Sequence, residues 1–547
     1  MRSVNPSRFA MVPRPEVQRS AFDVSHAHKT TFDAGWLVPV LCLEMMPGDQ
    51  ARIKLNALAR LTVPITPVMD NLTLESFFFF VPMRLVWDNW ERFMGAQDTA
   101  ALGTTEYLVP VVPAWSVNDV TAIGSLFDYF GVLNRGVLGT RVNVSALPFR
   151  AYMRIWNEWF RDQDLQDPVY SPTDDGPDND AAYTVQVRGK QHDYFTSARP
   201  WPAKPAAVTG TGSSGLNPFE PGGGFALPRG QVPVAGLGVA TGTGSAVPGS
   251  TINESGGRTR SYANAFASGS TSYFLETDLT LAGAATAFPN LRVLINDIRT
   301  ANQIQLLMER NARGGTRYTE IIQNHFGVRS PDMRLQRPEY IGGGRTFVNV
   351  SAVAQTSASD LTGSTTVLGE LAGIGTAVVQ GHEASTAVTE HGYIIGLVSA
   401  RPDLAYQQGI NRMWFKRSRY DFPWPSLMHL GEQAIQSREI YADGGAGDGN
   451  TFGYQERWSE YRQHPNRISG RFRSDAPQTL DIWHFGERFT VRPTLGTNFV
   501  RVNPVPVDRV LQVGGQDFEQ FLCDMLFDIR LVRPMPMFSV PGLGPRI

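Results

Sequence analysis

Alternation of apolar and polar positions marks both ends of the chain. In "ARIKLNALARL" (51–61), Ile53, Leu55, Ala57 and Ala59 share one face with polar residues between them, the two-residue period of a β-strand. In "CDMLFDIRLVRP" (523–534), Met525, Phe527, Ile529 and Leu531 point one way, and Asp528 and Arg530 the other. "WLVPVLCLE" (36–44), "HGYIIGLVSARP" (391–402) and "LDIWHF" (480–485) are further strand candidates. So is "NLTLESFFFFV" (71–81), which holds four consecutive aromatics, Phe77, Phe78, Phe79 and Phe80. Side chains alternate faces along a strand, so this run loads both faces and both must be covered. Glu75 and Arg84 bracket the run, which is too short to span a membrane. The strand is therefore sandwiched inside the domain, or its second face meets another element or subunit.

Helical periodicity appears between these strands. "MRLVWDNWERFM", after Pro82, reads as a short amphipathic helix. At 149–162, Phe149, Tyr152, Met153, Trp156 and Phe160 form an apolar stripe. A longer helix is expected at 290–312, with Leu291, Leu294, Ile295, Ile298, Leu307 and Met308 as its stripe and Gly314-Gly315 as its stop. Such stripes are packing faces.

Residues 1–30 read as an extended arm, where Arg2, Arg8, Arg14 and Arg19 outnumber Glu16 and prolines interrupt any helix. Residues 203–272 change character. Fifteen of them are Gly and only six are charged, so a long exposed insertion is expected there. A second, shorter loop of this type is expected at 354–390. With strands at both ends and insertions between, the fold expected is mainly β: an eight-stranded jelly roll, a β-sandwich with long inserted loops and a few helices. Its domain would run over 31–547.

Net charge is −2, so no global basic character points to nucleic acid. Cys42 and Cys523 lie far apart in apolar contexts and read as buried free thiols, compatible with a reducing compartment. The first twenty residues have no apolar core, so no signal peptide is expected. The chain is placed in a cytoplasm, where its Asn-x-Ser/Thr matches carry no glycan.

Motifs of catalysis are sparse. "GTGSSG" (210–215) matches GxGxxG but lacks the flanking strand and helix. His382 and Glu383 in "GHEAS" lack a second His, and His26-x-His28 lacks acidic or Cys partners, so both read as structural. "TDDGPDND" (173–180) gathers Asp174, Asp175, Asp178 and Asp180 but departs from the EF-hand pattern, and reads as a solvated acidic loop. No cofactor is expected. A β-sandwich carbohydrate-active enzyme would need paired acids in a cleft, and a carbohydrate-binding module would need exposed aromatics. Nothing singles out either alternative.

Two stretches interleave cations with rings. "NRMWFKRSRYDFPW" (411–424) carries Arg412, Trp414, Lys416, Arg417 and Arg419. "QERWSEYRQHPNRISGRFRS" (455–474) carries Arg457, Trp458, Tyr461, Arg462, Arg467, Arg471, Phe472 and Arg473. Arginine with aromatics suits a subunit interface. It also suits single-stranded nucleic acid, guanidinium to phosphate and ring to base, and it can be ordinary surface.

"FDVSHAHKTTFDAGWLVPV", "MDNLTLESFFFFVPMRLVWDNWERFMG", "EHGYIIGLVSARPDLAYQQGINRMW", "YDFPWPSLMHLGEQ", "FGYQERWSEYRQHPNRISGRFRS" and "RPMPMFSVPGL" closely resemble the major capsid protein of gokushovirus-like microviruses, small single-stranded DNA bacteriophages. The matches run in order from about residue 20 to residue 542. The low-complexity stretches and the acidic loop do not match strongly. The resemblance implies a viral jelly roll whose copies, about 60 of them in closed symmetry, form a T=1 shell around circular single-stranded DNA. It implies an internal scaffolding protein, a DNA pilot protein and a small basic DNA-binding protein as partners. It also implies a surface insertion near the threefold axes, here 203–272, that touches a host receptor, with assembly in the bacterial cytoplasm. A shell protein buries surface in its core and again against neighbours. Phe77–Phe80 are then expected to fill the sandwich on one face and lie under helices on the other, with Trp87 and Trp90 capping that layer.

Overall fold

The computed structural model describes residues 17–96, 106–113, 123–132, 143–202, 302–307, 310, 317–331, 334–354, 356, 360–361, 364–365, 371–428, 431–512 and 519–538. The insertion expected at 203–272 and the GxGxxG match lie outside them, as does most of the helix expected at 290–312, of which 302–307 is helical.

Eight strands carry the architecture: β1 (His26–Phe32), β2 (Val38–Met45), β3 (Gln50–Leu61), β4 (Leu72–Pro82), β5 (Glu339–Ala354), β6 (Leu371–Ala387), β7 (Gly392–Pro402) and β8 (Phe521–Arg533). They pair antiparallel in the order β1-β8-β3-β6-β5-β4-β7-β2. The first strand pairs the last, and the second pairs the seventh. This folded-over order is the double Greek key of a jelly roll. Its halves are β1-β8-β3-β6 and β5-β4-β7-β2, and they join where β5 pairs β6.

Three segments depart from the sequence expectation. The arm expected at 1–30 is in the sheet from residue 20: Ser20–Asp23 and β1 both pair β8, because Phe32 is buried against Phe521 with ring centroids 5.5 Å apart. The loop expected at 354–390 contains β6, a principal strand. Its small residues are a packing requirement. A Cβ on Gly373 would stand 2.7 Å from the Thr66 carbonyl oxygen, and one on Gly375 would stand 2.7 Å from the Leu61 Cβ. Residues 480–485 form a 3-10 turn (Asp481–Trp483), not a strand; Phe485 is buried and donates its N–H to Asp70. Cys523 is buried, but Cys42 is exposed on the terminal strand β2.

The interior of the roll receives alternate residues of both halves. Ile53, Leu55, Ala57 and Ala59 meet Met525, Phe527, Ile529 and Leu531 there. Phe78 and Phe80 enter the same core, whereas Phe79 belongs to a second core on the opposite face, with Phe77 packed at its margin. The second core is made with helix α1 (Leu147–Ile155), its continuation Trp156–Phe160, and helix α2 (Tyr318–Phe326). The segment after β4 is a 3-10 turn (Met83–Leu85) and a single helical turn (Trp90–Phe93). It places Trp87 and Trp90 in this layer. The Tyr152 hydroxyl donates to the Leu37 carbonyl at 2.8 Å, tying α1 to the residue just before β2.

The acidic loop is structural. Arg150, fully buried on α1, donates to both Asp174 and Asp178 and to the Val86 carbonyl. Asp175 accepts from the Trp87 indole at 2.7 Å. Asp178 is buried, while Asp174 and Asp175 make these bonds from an exposed position, so the loop is solvated and structural at once.

Phe78 and Phe79 are each 1% exposed on opposite faces. Phe78→Asp and Phe79→Asp each forfeit about 3–5 kcal/mol of ring packing, before the unpaired buried carboxylate is counted. Neither variant should give a soluble subunit with a cooperative unfolding transition; one that did would refute two-sided burial.

His391 sits among Trp90, Tyr318 and Phe326, with Nδ1 2.9 Å from the Tyr318 hydroxyl. Burial pushes its pKa down to about 4. The unfolded chain then binds this proton more readily, so stability falls as pH drops from about 6.5 to about 4, by about 3 kcal/mol for this group. Urea unfolding across that window should show a shallower pH slope in His391→Gln than in the parent.

Candidate interface

The segment 403–489 folds on its own small core beside the roll. The hairpin Glu432–Gln436/Thr451–Glu456 packs with Tyr194, Phe195, Tyr406, Ile440 and Phe499. Short 3-10 turns at Arg412–Phe415, Arg419–Asp421 and Ser459–Tyr461 carry the arginine–aromatic residues. The turns are fixed locally. The Asn411 side chain accepts from the Met413 N–H at 2.9 Å, and Asp421 accepts from the N–H groups of Arg417 and Ser418.

The first half of the second stretch joins the first stretch. Lys416 Nζ lies 2.9 Å from the Tyr461 hydroxyl and 3.1 Å from Glu460, and 4.1 Å from the Tyr461 ring centroid. Arg457 donates to the Tyr420 carbonyl and lies over the Trp458 ring at 4.5 Å. Trp458 is buried and takes a left-handed φ of 66°, unusual for a bulky residue. Arg412 bonds the Ala434 carbonyl and Glu439. Burial raises the Glu439 pKa. Burial also acts to raise that of Glu460, but hydrogen bonds from Gln433 and Lys416 leave it below the usual range. Arg462 pairs with Glu456 at the surface.

Arg412, Lys416 and Arg462 of this patch are thus paired with carboxylates, whereas Arg417, Arg419 and Arg457 have no carboxylate partner among the described residues, and several of its rings are not covered. Trp414 is 68% exposed, and Tyr420, Phe422, Trp424 and Tyr461 are each about half exposed. Arg417 and Arg419 are also exposed, with Arg419 over the Tyr420 ring. The second half of the stretch lies apart. Arg467, Arg471 and Arg473 are exposed with no side-chain hydrogen bond or ion pair among the described residues, and Phe472 packs toward His484. Sequence reading missed the buried partners Glu439 and Glu460 and the ring group Tyr420, Phe422 and Trp424. The signal was present, since Glu460 stands between Lys416's two aromatic neighbours Trp458 and Tyr461.

The remaining motif residues have structural partners. His382 is buried, with its ring nitrogens 2.8 Å from Ser76 Oγ and 3.0 Å from Thr346 Oγ1. His26 stacks on Phe527. Among the described residues no group of three or more His, Cys, Asp or Glu is arranged to hold a metal, and no described helix is long and apolar enough to cross a membrane.

A jelly roll that keeps a patch of uncovered rings beside its own filled cores has the build of a viral shell subunit. The chain belongs to the capsid protein (F protein) family, whose profile matches residues 10–543. It is 41% identical to the capsid protein VP1 of Bdellovibrio phage phiMH2K, with 98% of each chain covered. It is 38% identical to the capsid protein VP1 of Chlamydia phage 1, over 99% of this chain and 98% of the relative. With that of Spiroplasma virus 4 the identity is 32%, over 98% and 97%. These relatives come from gokushovirus-like microviruses. The chain is thus a structural major capsid protein, resident in the virion.

Lys416 and Glu460 have side chains 6% and 8% exposed. Lys416→Met leaves Glu460 without its close cation and should cost about 2–4 kcal/mol in urea unfolding. The double variant Lys416→Met/Glu460→Gln should recover most of that loss.

Proposed function

We propose that copies of this chain, about 60 in closed symmetry, assemble into a T=1 shell around a circular single-stranded DNA genome, with the Trp414–Trp424 patch seated against a neighbouring copy. The observation that carries this reading is a group of exposed rings beside cations of which Arg412, Lys416 and Arg462 are already paired with carboxylates. Interfaces are enriched in Trp, Tyr and Arg, and a nucleic-acid surface would leave its cations free for phosphate. Arg467, Arg471 and Arg473 are free in that sense, and they are the arginines assigned here to DNA. The insertion at 203–272 serves host attachment. A scaffolding protein, a DNA pilot protein and a small basic DNA-binding protein complete the particle, which assembles in the host cytoplasm. A separate basic protein accounts for a shell chain of net charge −2.

Trp414→Ala removes a ring that is 68% exposed, so it should change subunit stability by no more than about 0.5 kcal/mol. Sedimentation of lysates from cells making the full set of phage proteins should lose the fast particle, because an interface hot spot is worth about 2 kcal/mol or more per contact. Normal particles would refute the interface assignment. Particles that form but protect no DNA would assign the patch to the genome instead.

A further inference from the structure

Beside Phe77 and Phe79, on the outer face of β4, lies an open cleft of about 560 Å³, bounded by the Trp156–Phe160 turn, residues 188–192 and the start of β5. This is the size of a small-molecule site. Part of its lining is aromatic. The Phe79 ring centroid is 5.5 Å from those of both Trp159 and Tyr340, and the Phe77 centroid is 5.3 Å from that of Phe160. Trp159 and Tyr340 are 39% and 44% exposed, so ring surface remains open to the cleft.

The rest of the lining includes the cations Arg188, Lys190 and Arg401. Glu75, on the same face of β4, is paired with Arg188, Arg345 and Arg401 at once. Arg345 also reaches Asp403, and Arg337 lies over the Trp159 ring at 5.0 Å. Three guanidinium groups, Arg188, Arg345 and Arg401, therefore meet two carboxylates, an excess of one positive charge, and Arg188 and Arg401 line the cleft itself. Arg188 covers the Phe77 ring at 4.7 Å. Burial, and then the Arg401 charge, hold its pKa down to about 10, a crowding that a bound anion would relieve. The nearby Lys190 is already matched by Glu487 at 2.8 Å.

Open rings beside surplus guanidinium select a ligand that is both flat and anionic. We infer that the cleft takes one nucleotide of the packaged single strand, its base against the Trp159–Tyr340 pair and its phosphate at Arg188 and Arg401. Base stacking of this kind tolerates any sequence, as a shell binding a whole genome requires. The inference rests on the DNA-enclosing reading above, but assigns the contact to residues outside the two arginine–aromatic stretches.

Purified particles irradiated in the ultraviolet, digested and read by mass spectrometry should carry nucleotide adducts on peptides containing Trp159 or Tyr340. Full-length subunit should bind a thymidine oligonucleotide in a filter assay, and Trp159→Ala should bind at least about fivefold more weakly with unchanged thermal unfolding. Tyr340→Ala serves the same purpose if Trp159→Ala fails to fold. Unchanged binding in a folded variant would overturn the site. Adducts confined to 467–473 would overturn it while leaving DNA enclosure intact. Particles without nuclease-protected DNA would overturn both readings. A peptide of a neighbouring copy cross-linked into the cleft would make it a subunit contact instead.

Discussion

Everything in this molecule is arranged around one strand that must be dry on both sides. β4 sends Leu72, Leu74, Phe78 and Phe80 into the roll and Phe79 and Val81 into the helix layer. Burying each large apolar side chain contributes about 1.5–3 kcal/mol, so neither face can be left to water. The inner face requires the opposing half of the roll. The outer face requires α1, α2 and the tryptophans that follow the strand. A slip of one residue in register would exchange Phe78 with Phe79, sending each ring to a core shaped for the other. The run of four rings thus makes a jelly roll alone insufficient: this chain needs the second layer to fold.

That layer is held by buried charge. Arg150 uses all five of its N–H groups, two on Asp178, two on Asp174 and one on the Val86 carbonyl. A buried ion that lacks such partners costs several kcal/mol, so α1 can dock in one place only, where the 173–180 loop supplies acceptors. Glu75 imposes a similar condition at the other end of β4. Burial alone would raise its pKa, yet the Arg188 and Arg401 charges hold it below the ordinary range. As pH falls through that depressed value the ion pairs are lost, so this cluster contributes above the usual carboxylate pKa and fails in acid.

Parts of this plan were legible in the chain. β3 and β8 alternate cleanly because one face is packed and the other meets solvent. The stripe from Phe149 to Trp156 has helical spacing because α1 buries one side. β6 was hidden by a different constraint. Its glycines and alanines permit close approach of Pro64, Thr66 and Leu61, so the composition of a tight strand resembled that of a loop. β1 was hidden because its partner, β8, lies at the far end of the chain. The acidic loop showed its carboxylates but not Arg150, which Asp174 and Asp178 serve, nor Trp87, which Asp175 serves. The aromatic cleft had no local signature, since β4, the 156–160 turn, β5 and β7 each contribute one or two residues and the segment 188–192 the rest.

The two kinds of arginine separate what the subunit does alone from what it does in company. Arg150 and Arg412 are spent on carboxylates or carbonyls within the chain, and they fix the surfaces on which rings are displayed. Those rings are displayed on short turns closed by Asn411 and Asp421 rather than on a mobile loop. A rigid patch loses little conformational freedom when a neighbour covers it, so more of the burial energy remains for association. Salt should weaken contacts made by exposed, unpaired arginines far more than contacts made by these rings. In the proposed particle the protein–protein bonds are accordingly apolar and the DNA bonds ionic, so the shell can hold at ionic strengths where its grip on the genome loosens.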